Sequence, residues 1–262
     1  MNNRPIAYLG GTTLLTMTKF GRNIYVDSRD LSLAPHILMR GDWESWITAF
    51  FQRRILARRD DPKGALIIDV GANFGWYSLL AYFTREGHYD VVAFEPNPVL
   101  HSLLQKTFSV NGMPIARAMR LAVGAAAGVA TLKWEDECMG GGGIADESDY
   151  WNRTDVEVLT LDWFLGKEMF STGAKPPVAM IKIDVEGMEP EVIVGAHEII
   201  RANPSIDLLV EHHQSDQEPV MLEWLRGEGF QLWSIGEDQN LHVQTLESVA
   251  KLRDAEMLFL TR

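Results

Sequence analysis

Residues 67–77 read Ile67-Ile68-Asp69-Val70-Gly71-Ala72-Asn73-Phe74-Gly75-Trp76-Tyr77, an apolar run that passes through two glycines into an amphipathic segment. The run has the length and composition of a buried strand, and after Phe74 the residues Trp76, Leu79, Leu80 and Phe83 fall at helical spacing until Gly87 ends the helix. A strand, a glycine turn and a helix N-terminus bring backbone N–H groups close to a ligand. The turn therefore predicts a nucleotide-type cofactor site, and it decides the fold because the same unit recurs along the chain.

ALIIDV, DVVAFE, VAMIKIDV and IDLLVE are nearly continuous apolar runs, as expected of central strands buried on both faces. Helices with readable ends lie between them. One opens at Asn97-Pro98, one at Pro190, and one after Ser215, which has Glu218 at capping-box spacing. This alternation predicts an α/β fold with a doubly wound, mostly parallel sheet. FQLWSI and MLFLT read as closing strands that add an antiparallel edge. Residues 128–134 and 155–161 read as two further strands, an inserted hairpin joined to the core sheet, flanking the tract Gly140-Gly141-Gly142-Gly143. Residues 138–152, rich in glycine and then acidic and aromatic, read as a plain loop or as a lid over a second substrate. Residues 1–64 form an N-terminal extension, with short strands near Leu14–Met17 and Asn23–Val26 and a helix near Trp43 to Arg59; residues 65–262 form the main domain.

The chain has 262 residues and a net charge of −12, which disfavours a nucleic acid as the main partner. Arg53-Arg54 and Arg58-Arg59 read as the solvated face of a helix. A single cysteine, Cys138, excludes an internal disulfide, fits a reducing compartment and, beside four glycines, reads as incidental. The N-terminus lacks a basic stretch followed by an apolar block, and no run approaches the roughly 18 apolar residues of a membrane span. A cytoplasmic protein without a membrane span is expected, with a homodimer left open.

The glycine turn departs from the common phosphate-binding patterns. The dinucleotide fingerprint needs glycine where Asn73 stands, and a P-loop needs Lys and Ser or Thr where Trp76-Tyr77 follow Gly75. None of the six tyrosines has a lysine four residues later, which disfavours short-chain dehydrogenase chemistry. There remain an acid at the strand end, Asp69, and a second acid, Glu95, ending the next strand, where a carboxylate can accept both hydroxyls of a ribose. An adenosyl amino acid, S-adenosylmethionine, suits this set better than a pyrophosphate.

The combination IIDVGANFGWYS, VVAFEPNP, LAVG, VLTLDWFL, IKIDVEGMEPEVIVGA and LLVEHH resembles the FkbM-type methyltransferases, a class I S-adenosylmethionine-dependent family, from about Asn23 to His213. The resemblance implies a Rossmann-like class I methyltransferase fold and O-methylation of a small-molecule hydroxyl, on a sugar, polyketide or other secondary metabolite. It also implies that Asp69, Gly71, Asn73, Phe74 and Gly75 hold the methionine end, that Glu95 accepts the ribose, and that Ala122 and Val123 lie against the adenine. Asn97 is either a ligand contact or only a helix cap. Gly41-Asp42-Trp43-Glu44 resembles a short family motif, in which Glu44 either approaches the cofactor or merely starts a helix.

An alcohol is a poor nucleophile, so a base or a metal should help it lose its proton. Ligands of open α/β sheets bind beyond the carboxyl ends of the strands, where Asp184 and Glu186 end one strand and Glu211, His212 and His213 the next. Asp184 is the first candidate for catalysis and also for cofactor contact, because IKIDV is too apolar to carry an acid without a reason. Glu186-Gly187 reads as shaping the following turn. Strand alternation puts only one of His212 and His213 on the crevice side. Asp184, Glu211 and a histidine also form a candidate Mg²⁺ cluster, but their spacing is not diagnostic and no metal ligand is assigned. Two rivals stay open: a nicotinamide-dependent oxidoreductase and a protein that binds S-adenosylmethionine without turning it over.

Overall fold

A computed structural model describes residues 5–144, 152–168 and 176–262. Three short strands, β1 (Ala7–Tyr8), β2 (Thr13–Met17) and β3 (Asn23–Asp27), pair antiparallel in a small sheet of their own. Two helices follow, α1 (Ala34–Arg40) and α2 (Ser45–Ala57). Helix α1 is not among the sequence expectations. It starts because the Asp30 carboxylate accepts from the N–H groups of Leu33 and Ala34, with Pro35 in the first turn.

The core begins with β4 (Ala65–Val70), α3 (Trp76–Thr84), β5 (Tyr89–Phe94), α4 (Pro98–Val110) and the short β6 (Ala118–Met119). A second sheet is built from β7 (Ala122–Val123), β8 (Gly128–Glu135), β9 (Cys138–Gly143) and β10 (Asn152–Leu159), in the order β7-β10-β8-β9. The chain turns at α5 (Leu161–Trp163) and returns to the core through β11 (Val178–Ile183), α6 (Glu189–Val194), α7 (His197–Ala202), β12 (Asp207–His212) and α8 (Glu218–Gly227). It closes with β13 (Gln231–Ile235), β14 (Leu241–Gln244), α9 (Leu246–Val249) and β15 (Glu256–Thr261).

The large sheet runs β14-β13-β15-β12-β11-β4-β5-β6. Strands β12 to β6 are parallel, and β15 slots antiparallel between β12 and β13. The expected antiparallel edge is thus three strands wide. From β4 the chain steps outward to β5 and β6, and from β11 it steps the other way to β12. The order reverses between β4 and β11, and the crevice beyond their carboxyl ends is where such sheets bind ligands.

Every residue of β4, β11 and β12 is buried. Ile67 belongs to the apolar layer shared with α2, α3 and α4, whereas Leu66 and Ile68 belong to the layer under α6, α7 and α8, as strand alternation requires. Asn97 Oδ1 accepts from Val99 and Leu100 and caps α4 as expected. The Glu218 N–H donates to Ser215 Oγ, but the expected capping box does not form, because α8 begins after Gln217 and the Glu218 carboxylate turns to His212. The single helix expected from Pro190 breaks into α6 and α7 at Gly195, where a Cβ would lie 2.1 Å from the Gly124 carbonyl oxygen.

Three further expectations change. The strands flanking the glycine tract do not join the core sheet: the tract is itself strand β9, and the four strands make a separate sheet. The segment 138–152, read as a loop or a lid, is a paired strand over 138–143, while 145–151 fall outside the described residues. The arginines of α2 are not all solvated. Arg54 and Arg58 both reach the fully buried Asp207, with Arg54 Nε at 2.6 Å and Arg58 Nη1 at 2.7 Å from Oδ2, and so bind the extension to the sheet. Among the described residues, no helix is long and apolar enough to cross a membrane.

Candidate functional site

A cavity of about 330 Å³ opens at the carboxyl ends of β4, β5, β11 and β12, within the range of small-molecule sites. Its wall combines the glycine turn, the extension (Ser32, Leu33, Trp43 and Glu44) and the β9 strand from Cys138 to Gly143.

The glycine turn takes its shape from packing. Gly71 has φ 77°, and a Cβ there would lie 1.7 Å from the Asp184 carbonyl oxygen, so only glycine lets β4 and the end of β11 approach this closely. Gly75, at φ 93°, faces Leu104 in α4. Asn73 also sits in the left-handed region, at φ 52°, which asparagine tolerates. Its N–H donates to Glu95 Oε2 at 2.8 Å.

Of the residues expected at the cofactor, Gly71, Asn73, Glu95, Asn97, Ala122, Val123 and Asp184 line the cavity. Asp69, Phe74 and Gly75 do not. Phe74 is fully buried in the core. Asp69 is sealed behind the wall, where Oδ2 accepts from Ser78 Oγ at 2.6 Å and Oδ1 lies 4.0 Å from Lys182 Nζ. Asn97 caps α4, and it also lines the cavity. Each Glu95 oxygen accepts one backbone N–H, from Asn73 and from Asn97, and burial pushes its carboxyl up to about 7.

On the other flank stands a charged group that only partly follows from the sequence. Lys182, buried in β11, donates to Asp184 Oδ2 at 2.8 Å and to the Gly71 carbonyl at 3.3 Å. Burial alone would raise Asp184, but the charge and hydrogen bond of Lys182 hold it below the ordinary carboxylate range. Burial, then the charge of Asp184, push Glu211 up to about 9 and Glu186 up to about 7. Asp184 is therefore the ionised carboxylate of this group at neutral pH. Lys182 escaped notice, although the signal was present. A lysine two residues before Asp184 in the same apolar run needs a partner for the same reason the acid does.

The two histidines part company. His213 lies on the same side as Glu211, with Nε2 2.8 Å from Glu211 Oε2, and this contact pushes it up to about 9, but it does not itself line the cavity. His212 is fully buried on the opposite side, its Nδ1 2.7 Å from Glu218 Oε1, and takes no part in the cavity. Glu186, Glu211 and His213 bring donor atoms within 4.8 Å of one another, a different set from Asp184, Glu211 and a histidine. One donor is a nitrogen already engaged with Glu211, and magnesium, which takes oxygen ligands, finds no support in this set.

Glu44 resolves differently from a helix-starting acid. It precedes α2 at φ 41°, makes no side-chain cap, and accepts instead from Tyr77 Oη at 2.6 Å across the cavity wall. Trp76 Nε1 donates to Thr48 Oγ1 at 2.8 Å beside it, so α2 and α3 are joined at both contacts.

A model of the methyltransferase FkbM domain matches residues 69–232. Among curated proteins, the methyltransferase sdnD of Sordaria araneosa is 27% identical over 165 residues, covering 52% of this chain and 62% of that protein. The chain thus spans less than two thirds of that relative's length. Among solved structures, an O-methyltransferase from Bacillus cereus in complex with SAH aligns with a TM-score of 0.44 at 12% identity, covering 84% of this chain and 83% of that one. Fibrillarin from Aeropyrum pernix, with natively bound S-adenosylmethionine, gives 0.44 at 10% identity over 100% of both chains. At those scores neither likeness says what this chain acts on.

Proposed function

The chain belongs to the FkbM methyltransferase family, and from that premise we propose that it moves the methyl group of S-adenosylmethionine to a hydroxyl of a small polar acceptor. Family membership removes the nicotinamide-dependent reading. Three features of the wall support the donor. Each Glu95 oxygen keeps a lone pair beyond its backbone bond, which suits two ribose hydroxyls. Leu121, Ala122 and Val123 give an apolar shelf for a flat base. Asn73 Oδ1, buried without a partner, is an acceptor suited to a ligand N–H or O–H.

When bound, the donor supplies an electrophilic methyl on a positive sulfur. The single observation that carries hydroxyl transfer is Asp184, ionised by Lys182 at the cavity wall. Asp184 would take the proton of an acceptor hydroxyl held beside it. Lys182 stays protonated, because burial is outweighed by Asp184 and Asp69 beside it, and acts as a fixed countercharge rather than a base. The extension and β9 line the crevice, and their neutral and acidic wall suits uncharged polyhydroxyl acceptors.

Thermal-shift titration tests the donor. S-adenosylhomocysteine at a hundredfold its Kd should stabilise the protein by about 2.7 kcal/mol. Stabilisation by NAD and by neither adenosyl compound would contradict the reading.

A further inference from the structure

The cavity has two chemically distinct flanks. Asn97 and Leu121–Val123 stand beyond β5 and β6, whereas Lys182, Asp184 and Glu211 stand at the ends of β11 and β12. A donor whose ribose meets Glu95 and whose base lies on the apolar shelf carries its amino-acid end over the glycine turn toward the second flank. That end bears an ammonium group, which needs an acceptor and, in a desolvated site, a negative charge.

Asp69, the acid expected there, is sealed from the cavity by Ser78 and Lys182. The charge of Asp184 is already balanced by Lys182, and Glu211 is engaged with His213. Glu44 remains. It lines the cavity from the extension, lies near enough to Asp184 and Lys182 to feel their charges, and is oriented by Tyr77 Oη at 2.6 Å. Tyr77 comes from α3, the helix that the glycine turn begins, so the carboxylate and the turn are held in one rigid unit. A left-handed glutamate persists only where its surroundings fix it, and here the side chain forgoes capping α2 to face the cavity.

We propose that Glu44 is the carboxylate that receives the ammonium group of the donor's amino-acid end, with Tyr77 as its positioning residue; this rests on the donor reading above. The N-terminal extension thereby becomes part of the cofactor site rather than only a wall for the acceptor.

Isothermal titration of the full chain with two ligands tests this. S-adenosylhomocysteine carries the ammonium; 5′-methylthioadenosine shares the adenosyl thioether and lacks the amino acid. Glu44→Gln should weaken the first by about tenfold or more and change the second by less than about threefold. Tyr77→Phe should give a smaller loss with the same selectivity. Equal weakening of both ligands, or of neither, would overturn the proposal. The ligand side makes the same comparison without altering the fold: the deaminated analogue of S-adenosylhomocysteine should bind wild type about tenfold more weakly or worse, and equal affinity would overturn the assignment. Should wild type bind neither adenosyl compound, the donor reading itself falls, which is a separate outcome from failure of Glu44.

Discussion

Lys182 Nζ and Asp184 Oδ2 lie 2.8 Å apart, a buried cation and a wall carboxylate two residues along the same strand end. The spacing puts both on one face, and the cation is what keeps the acid ionised against its burial. Lys182→Met removes that countercharge while keeping the apolar stem. The acid limb of the kcat/KM profile should then move to higher pH by about one unit or more. An unshifted limb would detach Lys182 from Asp184's ionisation.

Glu95 gives two pH dependences of opposite sign. Its carboxyl is pushed from an ordinary 4.5 to about 7 by burial, so the folded protein holds this proton more tightly than the unfolded chain. The resulting stabilisation is fully present below 4.5 and is lost as pH rises through about 7. Affinity for S-adenosylhomocysteine should rise over the same interval, because the carboxylate accepts two hydroxyls. Glu95→Gln should flatten both trends in melting curves and titrations between pH 5 and 8. Wild-type slopes retained in the variant would assign them to other groups.

Asp207 should be a large single contributor to holding the extension on the core. It is fully buried and faces Arg54 and Arg58 together, so Asp207→Ala removes an acceptor from both, while Arg58 keeps Asp61 and the Ser205 carbonyl. Losing hydrogen bonds to a charged group costs about 1.5–3 kcal/mol, a Tm drop of roughly 3–12 °C. A loss below about 1 kcal/mol in denaturant melts would show that the pair is only solvated surface.

The glycines of the turn should rank by what their Cβ meets. In Gly71→Ala the methyl falls 1.7 Å from the backbone oxygen of Asp184, whereas in Gly75→Ala it meets the end of the Leu104 side chain at 2.7 Å. Both incur left-handed strain of about 1–3 kcal/mol, but only the first must also displace backbone. Gly71→Ala should lower Tm more, by calorimetry; the reverse order would contradict the packing account of the turn.

The parallel core was legible because β4, β11 and β12 are buried on both faces and therefore read as unbroken apolar runs. The second sheet was not, since glycine is depleted in strands and Gly140–Gly143 reads as a loop. The tract is nevertheless a strand. A Cβ at Gly140 would lie 2.3 Å from Asn73 Nδ2, and one at Gly142 2.7 Å from the Trp134 Cβ on the paired strand, so small residues are favoured by tertiary neighbours that local propensity does not register. For the site, Glu95 and Asp184 were legible as acids ending apolar strands. The withdrawal of Asp69 behind Ser78 and the burial of His212 depend on side-chain partners, which periodicity does not specify. Glu44 was visible only as part of a short motif, because its partner Tyr77 lies beyond an entire strand and turn.

The most direct test of the central claim compares wild type with Asp184→Asn in acceptor-dependent S-adenosylhomocysteine release across a panel of hydroxylated metabolites, with S-adenosylhomocysteine affinity measured beside it. General-base loss should lower turnover by about 10²–10⁴-fold, with donor affinity within about threefold of wild type. Turnover by Asp184→Asn equal to that of wild type, or no release by wild type with any hydroxyl acceptor, would contradict methyl transfer to a hydroxyl activated by Asp184.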